Sequence, residues 1–243
     1  ADRPAWRKKL GAKVHELLSD MHTLAMMLRK RRMARGALEL VMPEVKVDLD
    51  PAGKVSGAHV VENTESHQII EEFMLAANEA VATYLVERGL PLVARVHAPP
   101  REKKLEALRV FLGALGWRIG TQGGSEELQR LVAEVSDDPL SPIVQLALLR
   151  SMEHAEYQFG PGLPFALAAT RYCHFTSPIR RYPDLLVHRL LLARLAGRKP
   201  PFSLDPEDLE TQAGHLTRRE RAAVGAEREM LSRMQVRCLA HRV

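Results

Sequence analysis

Between Pro4 and Ala34 the apolar residues Leu10, Val14, Leu17, Leu18, Met21, Leu24, Ala25 and Leu28 recur at the three-and-four spacing of one helix face, and Pro4 suits a first turn. The helix should end where Arg29-Lys30-Arg31-Arg32 gives way to Arg35-Gly36, because cations favour a helix C-terminus and glycine accepts the left-handed residue beyond it. From 38 to 61 the pattern changes to alternation. Val45-Lys46-Val47-Asp48-Leu49 and Val55 through Val61 predict two strands, joined by the tight turn Asp50-Pro51-Ala52-Gly53-Lys54. Helical spacing returns from Ser66 to Arg88, and Leu92 to Val96 reads as a short buried strand leading through Pro99-Pro100. Further helices are predicted at Arg101 to Leu115, Glu126 to Val135 and Ser141 to His154, the last with Ser141 as N-cap and Pro142 in its first turn. Tyr157 to Phe175 is rich in glycine, proline and aromatics and has no clear period. Tyr182 to Leu195 and Pro206 to Leu239 then read as two helices around the loop Gly197-Arg198-Lys199-Pro200-Pro201. With no internal repeat and no low-complexity linker, one compact unit of mixed helix and strand is expected.

Composition supports a buried core: of 243 residues, 46% are hydrophobic and 27% charged. The net charge of +5 hides a bias, since 26 of the 35 cations are arginine. Arginine holds phosphates in a bidentate fork, so the bias points toward a polyanionic partner, although GC-rich coding produces the same composition. Only two cysteines, Cys173 and Cys238, are present, which excludes a disulfide scaffold and fits a reducing, cytoplasmic compartment. No apolar stretch is long enough to span a bilayer. The opening Ala1-Asp2-Arg3-Pro4 carries neither an initiator methionine nor a signal-peptide core, and reads as the interior of a longer chain.

The most specific stretch runs Tyr172-Cys173-His174-Phe175-Thr176-Ser177-Pro178-Ile179-Arg180-Arg181-Tyr182-Pro183-Asp184-Leu185-Leu186-Val187-His188-Arg189. It is an irregular loop entering a helix, with hydroxyls, adjacent guanidiniums and aromatics at the entry. Such an entry can bind a phosphate on backbone N–H groups and arginine, with aromatics to stack a base. A purely structural reading competes: a turn capped by Ser177, with Arg180 and Arg181 paired to carboxylates such as Asp184.

His174 to Arg189 resembles the signature of the RNase II/RNase R family of 3′-to-5′ exoribonucleases. Four further segments resemble the same catalytic domain in the same order. They are Arg31 to Leu38 with Pro43-Glu44, His67 with Ile70 to Glu79, Arg95-Val96-His97 to Pro100 with Lys103 and Leu105, and Arg150-Ser151-Met152 with Ala155 and Tyr157. The resemblance implies an α+β fold, a mixed sheet packed with several long helices, with residues 1–243 forming the later part of one RNase II-type catalytic domain truncated at both ends. It implies processive hydrolysis of single-stranded RNA to nucleoside 5′-monophosphates with Mg2+. The family's metal-binding Asp cluster is not found in this sequence, so its ligands are expected on a companion segment or chain. Asp137-Asp138, before Pro139, reads instead as a helix-initiating turn.

By the same resemblance, Arg180 contacts the phosphate of the scissile region and Glu71 approaches the terminal ribose, with Glu72 as the alternative register. Arg181 takes another phosphate or a structural carboxylate. Asn78 shares a helix face with Glu71, and Glu220 lies near the RNA path, although the Arg- and Glu-dense last helix also suits surface ion pairs. Tyr172, Phe175, Ser177 and Tyr182 are candidates to line the RNA channel, with core packing the competing role for the aromatics. Two departures stand out. Gly162-Leu163-Pro164-Phe165-Ala166-Leu167 replaces the family's Gly-His-Phe-Gly-Leu, and Leu38, Leu40 and Val41 stand where relatives carry a base-clamping aromatic. Two other readings remain: an RNA-binding pseudoenzyme or scaffold of the same family, and a basic helical module that binds DNA.

Overall fold

The computed structural model describes residues 11–40, 44–121, 123–160 and 165–240. In chain order these form α1 (Ala12–Ala34), β1 (Glu44–Leu49), β2 (Val55–Val61), α2 (Glu65–Glu87), β3 (Val93–Val96), α3 (Glu102–Ala114), α4 (Ser125–Glu134), α5 (Ser141–Ser151), β4 (Glu156–Phe159), a 3-10 turn (Phe165–Leu167), α6 (Tyr182–Leu195) and α7 (Pro206–Ala240). The α+β class is the one the sequence implies. Among the described residues the strands form two separate antiparallel pairs, β1 with β2 and β3 with β4. None of the described helices is long and apolar enough to cross a membrane.

The punctuation follows local chemistry. Gly36, at φ 90°, turns the chain after α1, and the N–H groups of Gly36 and Ala37 close on the carbonyls of Met33 (3.0 Å) and Arg32 (3.4 Å). In the β1–β2 hairpin Asp50 Oδ1 accepts the N–H groups of Ala52 (2.9 Å) and Lys54 (2.8 Å), and Gly53 takes φ 76°. Asp138 does the work expected of a helix-initiating turn, accepting the Leu140 N–H at 2.7 Å. Two boundaries differ from expectation. Leu140, not Ser141, is the N-cap of α5, and the Ser141 hydroxyl instead accepts from the Gln145 side chain at 3.0 Å; α5 also ends at Ser151 rather than His154. The strand β4 lies in the stretch that showed no period, because four residues followed by Gly160 are too short to display one.

Hydrophobic packing divides into three clusters. One joins α3, α4 and α5 through Leu105, Leu108, Leu112, Leu128, Val144 and Leu148. Another joins the end of α2, β3 and α6 through Ala82, Leu85, Ala94, Cys173, Val187 and Leu190. A third sets β3, β4 and α6 on α7 through Val93, Tyr157, Leu186, Ala213 and Leu216. The Tyr157 N–H also donates to Thr217 Oγ1 (2.9 Å), fixing β4 against α7. The apolar stripe of α1 does not become core as its spacing predicts. Val14, Leu17, Leu18 and Leu24 are exposed, and only Ala25 and Arg32 are buried, because α1 packs mainly against α2.

The packing of α1 on α2 contains a buried ion pair. Arg32 Nε lies 3.1 and 3.3 Å from the two carboxylate oxygens of Glu72, and Arg32 Nη2 lies 2.5 Å from Oε1. Both side chains are almost wholly removed from water, with 5% and 3% exposed.

Candidate functional site

The signature loop is laid along β3. The Arg95 N–H donates to the Tyr172 carbonyl at 3.0 Å, and Ala94 bridges Cys173. From the other side Asn78 of α2 grips the same loop. Its Oδ1 accepts the N–H groups of Phe175 (2.9 Å) and Thr176 (3.2 Å), its Nδ2 donates to the Tyr172 hydroxyl (2.9 Å), and its carbonyl faces the Cys173 thiol at 3.6 Å. Burial pushes the Cys173 thiol up to about 12, so it stays protonated.

The loop then turns at Ser177, whose carbonyl accepts the N–H groups of Arg180 (3.2 Å) and Arg181 (3.0 Å). Asp184, in the first turn of α6, is fully buried and fixes this turn. Its Oδ1 accepts the Ser177 N–H and the Arg181 Nη2, both at 2.8 Å, and the helix N-terminus favours the carboxylate there. Phe175 stacks on the His188 ring, 4.1 Å between centroids, while His188 Nε2 donates to the Phe175 carbonyl at 2.8 Å.

These contacts sort the signature residues into two groups. Facing inward are Tyr172, Phe175 and Arg181, along with the backbone of Ser177; facing outward are Ile179, Arg180 and Tyr182. Ile179 is 98% exposed and Tyr182 54%, and the Arg180 side chain is exposed with no hydrogen bond or ion pair among the described residues. In the inward group the structure shows the structural alternatives that the sequence left open. Arg181 is held by the structural carboxylate Asp184, Tyr172 is a core residue tied to Asn78, and Phe175 packs on His188 rather than standing ready for a base. Asn78, named for sharing a helix face with Glu71, is 2% exposed, and its side chain is turned to the loop.

On α2 burial separates the two carboxylates. Glu72 is committed to Arg32, whereas Glu71 is about half exposed and only 3.8 Å from the same guanidinium. Glu71, not Glu72, is therefore the carboxylate that a ligand can reach. Glu220 is likewise engaged: Arg95 Nη1 lies 2.5 Å from its Oε2, and the Tyr157 hydroxyl 3.5 Å from its Oε1. Leu38 is core and Leu40 packs against that core, so neither replaces the aromatic clamp. Val41 and the Gly162-Leu163-Pro164 departure lie outside the described residues.

Beneath the loop runs a polar chain that sequence reasoning did not assign. His174 Nδ1 lies 2.8 Å from the Tyr157 hydroxyl, and the Arg95 guanidinium sits 4.6 Å from the centre of the Tyr157 ring while it pairs with Glu220. Arg95 and Glu220 also line an open cleft of about 340 Å³ with His154, Arg221 and Arg228. Each member carries a sequence signal, Glu220 as a candidate and Arg95, Tyr157 and His174 inside family-like segments, but their convergence spans up to 125 positions. Burial, reinforced by Arg181 and Arg95, pushes the His174 imidazole down to about 3.

This gives a signed pH dependence. Unfolded His174 titrates near its ordinary value, about 6.5, but the folded form stays neutral until about pH 3. Between those values the unfolded chain binds the extra proton, so His174 removes stability as pH falls and costs nothing above the window. His174→Gln should flatten the decline in urea midpoint between pH 6.5 and 4.5; an unchanged slope would show that other groups carry it.

Among the described residues no three His, Cys, Asp or Glu side chains gather to hold a metal ion.

Residues 2–197 match the family described as RNB domain. The chain is 36% identical over 242 residues to Ribonuclease R of Aquifex aeolicus, covering 99% of this chain and 34% of that protein. It thus spans about a third of the length of the relatives it matches. Among solved structures, Mycoplasma genitalium RNase R in complex with ribose methylated single-stranded RNA superposes with a TM-score of 0.86 at 28% identity, over 93% of this chain and 36% of that one. Yeast Ssd1, a pseudonuclease, shares the fold with a TM-score of 0.61 at 24% identity, over 82% of this chain and 25% of its own.

Proposed function

The chain belongs to the RNB domain family, and from that premise we propose that it forms the later, RNA-clamping part of a 3′-to-5′ exoribonuclease domain that degrades single-stranded RNA to nucleoside 5′-monophosphates. One observation carries the reading. Arg180, on the loop, and Tyr182, the first residue of α6, are turned to solvent, while Asn78 holds the loop N–H groups of Phe175 and Thr176, and Asp184 holds the Ser177 N–H and the Arg181 guanidinium. An arginine left unpaired on a braced turn is a pre-organised donor for a phosphate, and an exposed tyrosine beside it offers a stacking face. Arg180 then binds the phosphate of the scissile region and stabilises the charge that grows on it in the transition state. Glu71 accepts a hydroxyl of the terminal ribose. Phosphate and stacking contacts carry no base code, which suits degradation regardless of sequence.

Nuclease chemistry in this family is consistent with a divalent metal, for which we propose magnesium. Hard oxygen ligands are required, and the described residues gather no such set, so no step here passes through them. We assign the ligands to a companion segment carrying an Asp cluster, in keeping with relatives about three times as long. Both cysteines are free thiols, which suits the cytoplasm.

The test is to combine the chain with that companion segment, magnesium and a 5′-labelled single-stranded oligoribonucleotide. A ladder of shortening labelled products with release of nucleoside 5′-monophosphates supports the reading. Binding without shortening makes the protein an RNA-binding pseudoenzyme, and protection of duplex DNA alone makes it a DNA module.

Within this reading, Tyr182→Ala should weaken binding to a fluorescent oligoadenylate by about 1–3 kcal/mol, the usual worth of one base stacked on an aromatic ring. Fluorescence anisotropy measures it, and an unchanged Kd would remove Tyr182 from the RNA track.

A further inference from the structure

We propose that Asn78 is a positioning residue of this site, acting through Arg180; the proposal rests on the reading of Arg180 given above. Every hydrogen bond made by the Asn78 side chain goes to the signature loop, and they fall on Tyr172, Phe175 and Thr176 in turn. The Ser177 turn that presents Arg180 begins one residue after Thr176. An amide is the side chain that meets this demand, since one end must accept twice while the other donates. The Tyr172 hydroxyl chooses the end: by accepting from Nδ2 it leaves Oδ1 facing the two N–H groups.

Below the turn, Asp184 holds Ser177 and Arg181. Arg180 is therefore suspended between two buried anchors, Asn78 upstream and Asp184 downstream, and its side chain makes no hydrogen bond or ion pair among the described residues. A guanidinium so placed owes its position to the backbone beneath it. Asn78 also stands seven residues after Glu71 on α2. One rigid helix thus carries both the carboxylate assigned to the ribose and the amide that sets the phosphate-binding arginine. The distance between the two contacts is fixed by helix geometry, about 10 Å along the axis.

Loss of the anchor displaces Arg180 by a fraction of its reach. The cost falls on the transition state, where alignment matters most, rather than on the many ground-state contacts to RNA.

The test uses the complete enzyme, with the companion segment present, on single-stranded RNA under steady-state conditions. Asn78→Ser should lower kcat about 10- to 100-fold with KM within about threefold. Asn78→Asp should recover most of kcat, because its oxygens accept both N–H groups and the Tyr172 hydroxyl can turn to donate. In the Arg180→Ala background, Asn78→Ser should cost nothing further in kcat. Should Asn78→Ser fold poorly by thermal unfolding, Tyr172→Phe carries the same comparison, because it removes one oxygen from the loop and leaves Asn78 unable to hold its orientation. Additive losses with Arg180→Ala, or full kcat in folded Asn78→Ser, overturn the positioning role and leave Arg180 standing. If Arg180→Ala alone keeps full kcat, the reading of Arg180 falls, and the positioning role with it.

Discussion

Replacing Arg180 by alanine lowers kcat of the complete enzyme by about 10²- to 10³-fold, the usual cost of deleting one pre-organised donor to a developing oxyanion. Affinity for single-stranded RNA changes little, because one phosphate contact among many contributes little to ground-state binding. The structure sharpens the expectation. The Arg180 side chain is exposed and has no hydrogen bond or ion pair among the described residues, so its removal should leave no buried group unpaired and the fold intact. Arg180→Lys restores charge without the planar fork and should recover only part of the loss. Single-turnover rates at saturating enzyme, paired with equilibrium binding, separate the two quantities. A weakened Kd with unchanged kcat would make Arg180 a tether rather than a catalytic residue.

The second large effect is on stability. Arg32 and Glu72 are a buried pair between α1 and α2. Either Arg32→Ala or Glu72→Ala leaves an uncompensated buried charge and should cost about 3–5 kcal/mol. In a domain of this size that corresponds to a fall in Tm of roughly 6–20 °C. The double variant Arg32→Met with Glu72→Leu should recover much of the loss, since well-packed apolar groups replace such pairs at little cost. Urea and thermal unfolding of all three variants measure it. Losses below about 1 kcal/mol would mean that the pair behaves as a solvated surface bridge.

The two predictions also mark where the sequence was readable. Periodicity placed α2, α3, α4, α6 and α7 close to their observed bounds, because each is long enough to show a face or is punctuated by proline or glycine. It missed β4, whose partner β3 lies 60 residues earlier and supplies the pairing that four residues alone cannot advertise. In the signature, residue types alone left a phosphate site and a structural turn in competition. The structural description holds for Arg181 and Asp184, while Arg180, on which the proposed phosphate reading rests, has no hydrogen bond or ion pair among the described residues. Neighbours in sequence take opposite roles because a tight turn points them in opposite directions. Glu71 and Glu72 divide in the same way, since adjacent residues on a helix are about 100° apart and only Glu72 is buried against Arg32. Neither the Asn78 grip nor the Arg95–Glu220 pair could be read locally, as their partners lie 94 to 125 positions apart.

The helices α3, α4 and α5 enclose apolar side chains that belong to a different cluster from those behind the signature loop. Cooperative units of a domain tend to follow such partitions. Breathing of the three-helix cluster should therefore leave the loop ordered, and amide exchange in the two regions should run on separate clocks. Substitutions can accumulate in Leu112 or Leu128 and their surroundings over evolutionary time without moving Arg180, which frees that side of the molecule to diverge at its own pace.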